Sequence, residues 1–229
     1  MKRIVQPEIL DTLPPDDPRA VRSRRDLRRV NGWMCNHGIM VRALEKNRVG
    51  PAPGRITELG AGDGNFLLRI AQKISPRWPE TTATLLDLQN NVSAETLAGF
   101  AALGWRANLI VGDVFDWPRN SAADGVVIAN LFLHHFEDAR LAELLRLISQ
   151  RATLFVAIEP HRFRYPSACA QLLRLIGCSA VTLHDAAVSI RAGFIRQEIS
   201  PLWPDKQNWR LTEQRAGAFS HLFIARKIA

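Results

Sequence analysis

Three glycines at alternate positions, Gly60, Gly62 and Gly64, form the first group of residues whose spacing could do chemistry. They follow a short β-leaning run, residues 55–57, and precede a helix-patterned run, residues 65–71. Glycine adopts backbone conformations closed to other residues and lets a ligand approach the main chain closely. The turn also opens a helix, whose free N–H groups and positive dipole end attract polar or anionic ligands. This strand, turn and helix predict a nucleotide-like ligand site.

The spacing within the turn narrows the choice of ligand. A dinucleotide-binding G-x-G-x-x-G/A turn requires Gly or Ala at position 65, where this chain has Asn65. A phosphate-binding P-loop requires Gly-Lys-Ser/Thr, which the sequence lacks. The segment Glu58-Leu59-Gly60-Ala61-Gly62-Asp63-Gly64 instead resembles the first motif of the class I S-adenosylmethionine-dependent methyltransferases. On this motif alone, a tight turn without a ligand stays an open alternative.

Polar residues also end the strand-like runs that follow. Asp87 lies 23 residues after Gly64, close to the offset of about 20 at which a dinucleotide fold places its ribose-binding carboxylate. The resemblance implies that Asp87 binds the ribose of S-adenosylmethionine, that Asp113 and the Val114 N–H meet the adenine, and that Asn130 lies near the methionine part. Asp87 and Asp113 also suit turns, which is the alternative for each. The implied cofactor site consists of Glu58, Gly60, Ala61, Gly62, Gly64, Asp87, Leu88, Asp113, Val114 and Asn130.

Four side chains after the fourth and fifth strand-like runs are candidates for acid–base chemistry. Methyl transfer to a hydroxyl needs the acceptor near the sulfonium and a group that takes its proton. His134 and His135 lie in a tract that resembles one in small-molecule methyltransferases, and a neutral imidazole can act as a base. Glu159 could hold a substrate hydroxyl and His161 could act as base. Each equally suits packing, capping or a salt bridge.

Two further features of the sequence concern the same sheet edge. His184-Asp185 precedes a predicted helix and either orients a substrate or, through Asp185, caps that helix. Metal-dependent catechol methyltransferases carry Asp after the fourth strand, where this chain has Asn130, so the comparison predicts no metal.

Strand-like and helix-like runs alternate through most of the chain. Strands separated by helices of this length predict a parallel sheet covered on both faces. Near the end, residues 209–215 and 220–226 predict a hairpin. The whole pattern resembles the Rossmann-like class I methyltransferase fold, a mostly parallel seven-stranded sheet closed by a C-terminal hairpin, in an α/β protein. The predicted strands are 55–57, 83–86, 107–111, 125–129 and 153–158, and the predicted helices are 65–74, 93–102, 139–149, 166–175 and 185–192.

The N-terminal part precedes this alternation. Residues 1–18 contain several prolines and predict an extended arm, and residues 19–48 predict helices with breaks at 31–32 and 37–38. We therefore divide the chain into residues 1–52, an arm and helical lid or extension, and residues 53–229, the methyltransferase domain. A helical segment at 164–194 is expected to contribute to the acceptor pocket. Whether the N-terminal extension is a lid or packs without touching substrate stays open.

Composition restricts the class of protein. The chain has 229 residues and a net charge of +8, and six arginines lie between positions 19 and 29. Such a cluster is usually a solvated face, although it also fits an acidic partner, an anionic membrane surface or RNA. Cys35, Cys169 and Cys178 show no metal or disulfide spacing. No apolar segment has the length of a membrane span or signal region, so we expect a cytoplasmic protein without membrane insertion.

The methyl acceptor is less well defined by the sequence. The Asp/Asn-Pro-Pro-Tyr/Phe motif of nucleobase amino-methyltransferases and the paired-glutamate loop of protein arginine methyltransferases are absent. Residues 184–194, with Leu202-Trp203-Pro204, resemble bacterial methyltransferases encoded near type III polyketide synthases, which implies a phenolic acceptor. We therefore predict methylation of a small aromatic or apolar molecule, most simply at oxygen. The alternatives are a catalytically inactive binding protein and an RNA-directed methyltransferase, and the oligomeric state is undetermined.

Overall fold

The computed structural model describes residues 2–14, 16–48, 50–117 and 125–228. Parts of the predicted N-terminal region and of the predicted methyltransferase domain lie outside these ranges: Met1, Pro15 and Val49 in the first, and residues 118–124 and Ala229 in the second. The helices are α1 Ile9–Thr12, α2 Pro18–Trp33, α3 Asn36–Asn47, α4 Asn65–Ile74, α5 Ala94–Ala102, α6 Asp138–Ser149, α7 Pro166–Gln171 and α8 Ala180–Ala192. The strands are β1 Arg55–Leu59, β2 Thr82–Asp87, β3 Arg106–Val111, β4 Gly125–Asn130, β5 Ala152–Pro160, β6 Trp209–Ala216 and β7 Ser220–Lys227.

The seven strands form one sheet in the order β3-β2-β1-β4-β5-β7-β6. Strands β1 to β5 are parallel, whereas β7 is antiparallel to both β5 and β6. The predicted Rossmann-like sheet with its C-terminal hairpin is therefore confirmed. Strand order reverses between β1 and β4, and in open parallel sheets the crevice at such a switch point is where ligands bind. The glycine turn and Asn130 both follow strands at this point.

Helices cover both faces of the sheet and explain why its central strands are almost continuously apolar. On one face, Leu67 and Ile70 of α4 pack with Ile56 of β1 in a cluster that also includes α3 and α5 residues. On the other face, Leu141 and Leu145 of α6 pack in a second cluster with residues of β4, β5 and β7. The two layers hold the ends of β1, β2 and β4 in fixed register. They therefore position the edge of the sheet at which the glycine turn lies.

The N-terminal helices differ in detail from the prediction. The predicted arm contains the short α1, and α2 begins at Pro18. The helical region breaks at Met34–Cys35, where Cys35 has a left-handed φ of 58°. Both predicted breaks instead lie inside helices, residues 31–32 in α2 and residues 37–38 in α3. A Gly within a helix costs only about 1 kcal/mol relative to Ala, so tertiary packing overrides it here.

Two helices that follow β5, α7 and α8, lead to segments that pack against α2. The predicted helix at 185–192 begins earlier, because Ser179 caps α8 and Asp185 lies inside it. A 3₁₀ turn, residues 172–176, follows α7 and packs with Val30 of α2 in a small apolar cluster. Among the described residues, no helix combines the length and apolar character that crossing a bilayer requires.

Gly193 gives a test of how β5 and the segment after α8 are joined. A Cβ at position 193 would lie 2.3 Å from the Pro160 carbonyl oxygen, while a Cβ at Gly32 would meet nothing within 4 Å. We expect Gly193→Ala to lower the free energy of unfolding by about 1–3 kcal/mol through overpacking. Gly32→Ala, the control, should be neutral or stabilising by up to about 1 kcal/mol. Equal urea unfolding curves for the two variants would contradict this contact.

Candidate functional site

The glycine turn after β1 has a backbone that only glycine adopts easily. Gly60, Gly62 and Gly64 have φ values of 66°, 55° and 70°, all in the left-handed region. A Cβ on Gly60 would overlap the ring of Phe132, while a Cβ on Gly62 would project into open space. Ala61 is buried in the turn and donates its N–H to the Leu86 carbonyl oxygen at 3.0 Å. The turn therefore leaves a gap beside Gly62 that a ligand can fill.

Asp87 ends β2 beside this gap. One carboxylate oxygen accepts a hydrogen bond from the Gly62 N–H at 2.8 Å, and the other accepts from the Gln89 N–H at 3.0 Å. Leu88 is 71 % exposed and lines the same cavity as Asp87. The carboxylate retains lone pairs that can accept hydrogen bonds from a diol. Asp87 and Leu88 therefore lie together on the cavity wall beside the glycine turn.

The predicted residues after β3 divide between two environments. Gly112 and Val114 line the cavity. Asp113 is exposed, and its carboxylate accepts the Phe115 N–H at 2.9 Å as the cap of a short 3₁₀ turn, Val114–Asp116. Asp113 is not among the described residues that line the cavity. The alternative assignment of Asp113 as a turn residue fits this geometry better than direct adenine contact.

Glu58 lies beneath the glycine turn rather than in the cavity wall. It is 2 % exposed, and its Oε2 has no hydrogen-bond partner among the described residues. Burial, together with the nearby charges of Asp63 and Asp87, raises the pKa of Glu58 well above its usual range, although the Leu67 N–H opposes this. A buried acid without a complete set of partners is a group that can respond to a cation bound above the turn.

Asn130 occupies a buried position behind the cavity. Its amide donates to Asn31 at 2.9 Å and accepts from Asn36 at 3.1 Å. Asn36 in turn accepts a hydrogen bond from the Ser220 hydroxyl at 2.7 Å. These contacts tie the junction of α2 and α3 to the ends of β4 and β7. In this structure Asn130 fixes the N-terminal helices against the sheet instead of facing the cavity.

A single cavity of about 460 Å³ extends from the glycine turn to the N-terminal helices. Its wall is mostly apolar, and one end carries a concentration of ionisable groups. The apolar wall includes Leu27, Val30, Trp33, Met34, Phe132, Phe136, Phe163, Leu173 and Phe219. The polar end, away from Asp87, is formed by Glu8, Asp11, His134, His135, Asp185 and Ser189. A cavity with these two ends suits a cofactor beside an apolar acceptor.

Glu159 lies behind the polar end of the cavity and holds the turn after β4 and His134 by hydrogen bonds. Its side chain is fully buried and accepts hydrogen bonds from the N–H groups of Phe132, Leu133 and His134 at 2.8–3.3 Å. It also binds the His134 Nδ1 at 2.8 Å. These partners occupy both carboxylate oxygens. Glu159 is therefore placed to position His134 and the turn after β4, not to hold a substrate hydroxyl as the sequence had indicated.

His134 lies between two carboxylates. Its Nε2 faces Glu8 Oε1 at 3.3 Å, while Glu159 holds Nδ1. Burial alone would lower the pKa of His134, but the hydrogen bonds to Glu159 and Glu8 outweigh it and raise the pKa to about 9. With these partners His134 is protonated at neutral pH, so it does not serve as the neutral base considered from the sequence.

His135 has the opposite electrostatic setting. Burial and the neighbouring charge of His134 lower its pKa, so the ring is neutral at neutral pH. It lines the cavity, and its Nδ1 lies 3.5 Å from a carboxylate oxygen of Asp11. His161 is half-buried next to Phe163 and His221 and is not among the described cavity-lining residues. Of the four acid–base candidates, His135 is the one placed to exchange a proton with a ligand.

The polar end also contains residues that the sequence pattern had assigned to other roles. Glu8 and Asp11 belong to the predicted extended arm, and Glu8 bonds the Ser189 hydroxyl as well as His134. Asp185 accepts the Ile9 and Leu10 N–H groups at 2.8 and 3.0 Å, so it caps α1 instead of its own helix. The three-residue spacing of Glu8 and Asp11 is the feature of the sequence that could have indicated their shared position, since residues three apart lie on the same side of a helical turn.

The cavity fits S-adenosylmethionine on its own geometry. The gap beside Gly62 would be closed by a side chain, Asp87 lies at its edge, and the partly unsatisfied Glu58 lies beneath it. Arg28 of α2 also reaches this turn and pairs with Asp63 at 2.7 Å. These features suit a polar ligand at the glycine turn and leave the apolar wall available to a second molecule.

Comparison with known proteins agrees with this geometry. The family model of the methyltransferase domain matches residues 56–152, which include the glycine turn, Asp87, Asp113 and Asn130. The fold is similar to that of the plantazolicin methyltransferase BpumL in complex with SAH, with a TM-score of 0.63, 13% identity, and 93% of this chain and 92% of that chain covered. Curated protein sequences gave no match.

Two other solved structures share the fold. The mitomycin 7-O-methyltransferase MmcR is 19% identical with a TM-score of 0.60, and the match covers 95% of this chain but 60% of that one. The magnesium protoporphyrin IX methyltransferase of Synechocystis PCC 6803 is 13% identical with a TM-score of 0.57, covering 89% of this chain and 86% of that one. The chain therefore has the fold of these methyltransferases and contains a segment, residues 56–152, that matches the methyltransferase-domain model.

Replacing Glu159 tests its role in building the polar end. We expect Glu159→Ala to lower the free energy of unfolding by about 3–5 kcal/mol, because it leaves a buried cation and several N–H groups without an acceptor. Glu159→Gln keeps the shape and one acceptor and should cost less. Glu143→Ala removes an exposed carboxylate paired with Arg140 and should change stability by less than about 0.5 kcal/mol. Urea unfolding measures all three, and equal losses for the two alanine variants would contradict the assignment.

Proposed function

We propose that this protein transfers the methyl group of S-adenosylmethionine to an oxygen of a small aromatic acceptor bound in the same cavity. The observation that carries the proposal is the continuous cavity, with the glycine turn at one side and an apolar wall leading to ionisable groups at the other. S-adenosylmethionine supplies an activated methyl group, and the protein's task is to hold the acceptor in line with it and manage the acceptor's proton.

The residues that would hold the cofactor lie along the edge of the sheet. Gly60 and Gly62 provide close backbone approach for its amino acid end, and Asp87 accepts hydrogen bonds from its ribose hydroxyls. Leu88 and Val114 line the part of the cavity beyond Asp87, which suits the adenine. Asp113 and Asn130 act from outside the cavity, Asp113 by capping the turn that carries Val114 and Asn130 by fixing the N-terminal helices.

We infer the chemical class of the acceptor from the residues of the cavity wall opposite the proposed cofactor site. Trp33, Phe163 and Phe219 give an aromatic surface, and Trp33 stacks on Phe219 with ring centroids 4.4 Å apart. An apolar ring fits this wall, while an acceptor hydroxyl would point to the polar end. There, His135 and Asp11 are both placed to accept the hydroxyl proton. The likeness of residues 184–194 to methyltransferases encoded near type III polyketide synthases supports a phenolic acceptor.

An RNA acceptor is less well supported by the arrangement of the basic helix. Arg19 pairs with Asp17, Arg28 with Asp63, and Arg29 with Asp26. These contacts occupy half of the six arginines in stabilising the N-terminal helices and their attachment to the glycine turn. An RNA-binding surface would instead direct its cations to phosphates.

Two glycine substitutions separate ligand contact from backbone strain. Gly62 and Gly104 both have positive φ, and a Cβ at either position meets nothing within 4 Å, but only Gly62 lines the cavity. We expect Gly62→Val to weaken S-adenosylmethionine binding at least tenfold, because its side chain fills the ligand gap. Gly104→Val should carry similar strain and leave affinity unchanged. Calorimetry that found equal affinities for the two variants would rule out this cofactor position.

The acceptor class is tested by turnover. Purified protein with S-adenosylmethionine should methylate phenols, and the product's mass and fragmentation should place the methyl group on oxygen. Asp87→Ala serves as the control, since weaker ribose binding costs roughly 1.5–3 kcal/mol and should lower turnover at limiting cofactor. Methylation found only on amines or on RNA in a mixed panel would contradict the proposed acceptor.

A further inference from the structure

The cluster Glu8, His134 and His135 has a donor set of the kind that binds transition metals. Each residue offers one nitrogen or carboxylate oxygen, and the three atoms lie within 4.8 Å of one another. Two imidazoles with a carboxylate form a common ligand set for divalent first-row ions such as Zn²⁺ or Fe²⁺. The residues come from two distant parts of the chain, the N-terminal arm and the turn after β4.

The distance between His134 Nε2 and Glu8 Oε1 favours this interpretation. It is 3.3 Å, longer than the 2.7–2.9 Å typical of an N–H donor charge-paired with a carboxylate. Two ligands at about 2.0–2.1 Å from a tetrahedral ion lie about 3.3–3.4 Å apart. The pair is therefore spaced as two neighbouring ligands of one ion would be.

Neighbouring residues hold the proposed metal ligands in place by hydrogen bonds, as residues outside the coordination shell do in known metal sites. Glu159 holds the Nδ1 of His134 at 2.8 Å, which directs Nε2 toward Glu8. The Ser189 hydroxyl binds the Glu8 carboxylate, which fixes the second ligand. A carboxylate behind a ligating histidine and a hydrogen bond to a ligating carboxylate are the usual supports of such a site.

The polar end is also rich in carboxylates. Glu8, Asp11 and Asp185 all line this end of the cavity, and Glu159 lies behind it. A divalent ion that takes the place of the proton on His134 Nε2 would add one positive charge among these carboxylates. The cluster faces the cavity, so coordination positions not taken by the protein are open to an acceptor oxygen.

We propose that Glu8, His134 and His135 bind a divalent transition-metal ion at the acceptor end of the cavity. The prediction of no metal relied on Asn130 after β4, whereas this site uses the histidines that follow it and a carboxylate from the arm. Binding of the ion does not depend on the reaction. Its use as a Lewis acid that lowers the pKa of an acceptor hydroxyl rests on the proposed methyl transfer. With His135 bound to metal, Asp11 is the group left to take the hydroxyl proton.

Zn²⁺ binding to tag-free, chelator-treated protein tests the site without reference to activity. Calorimetry should show one ion per chain for the wild type and at least tenfold weaker binding for Glu8→Gln and His135→Asn. His37→Asn and Glu143→Gln remove an imidazole and a carboxylate elsewhere and should bind as the wild type does. Thermal melting confirms that each variant is folded.

The possible outcomes decide between a metal and a simple ion pair. Absence of Zn²⁺ binding, or binding equal in wild type and both site variants, overturns the proposal and leaves His134 as a cation held between Glu8 and Glu159. Site-specific binding that does not change turnover of a phenol overturns the Lewis-acid role alone. Protein that binds Zn²⁺ at this site but methylates no acceptor supports the metal site while contradicting the proposed function.

Discussion

The buried carboxylate of Glu159 is the interaction on which the rest of the site depends. It lies at the end of β5, accepts three consecutive backbone N–H groups from the turn after β4, and holds His134. A turn whose N–H groups were buried without an acceptor would be costly, so this one side chain permits the sharp exit from β4. His134 then reaches Glu8, which brings the N-terminal arm over the cavity.

This arrangement gives one cavity two chemically different ends. At one end, the glycine turn and Asp87 combine backbone geometry with a carboxylate, and we propose that the methyl donor binds there. At the other end, carboxylates and histidines from separate parts of the chain meet beside an aromatic wall. The sheet fixes the first end, whereas long-range side-chain contacts assemble the second. In the proposed function, donor and acceptor are therefore recognised by different kinds of structure within one fold.

The local geometry of the first end could be predicted from the sequence, whereas that of the second end could not, for a physical reason. The positions of Gly60, Gly62 and Asp87 can be predicted because a strand, a turn and the end of the next strand are local patterns with fixed spacing. Glu8 and Asp185 were not assigned correctly, since the hydrogen bonds between their segments join residues about 175 positions apart, such as Leu10 and Asp185. Gly38 was misread as a break because packing overrode its low helix propensity.

A crystal structure of the protein with S-adenosylhomocysteine tests the central claim most directly. The account predicts the ribose hydroxyls on Asp87, the amino acid end against Gly60 and Gly62, and the sulfur facing the cavity toward His134 and His135. The acceptor would then bind next to the position of the transferred methyl group. Ligand bound outside this cavity, or with its sulfur turned away from the two histidines, would contradict the account.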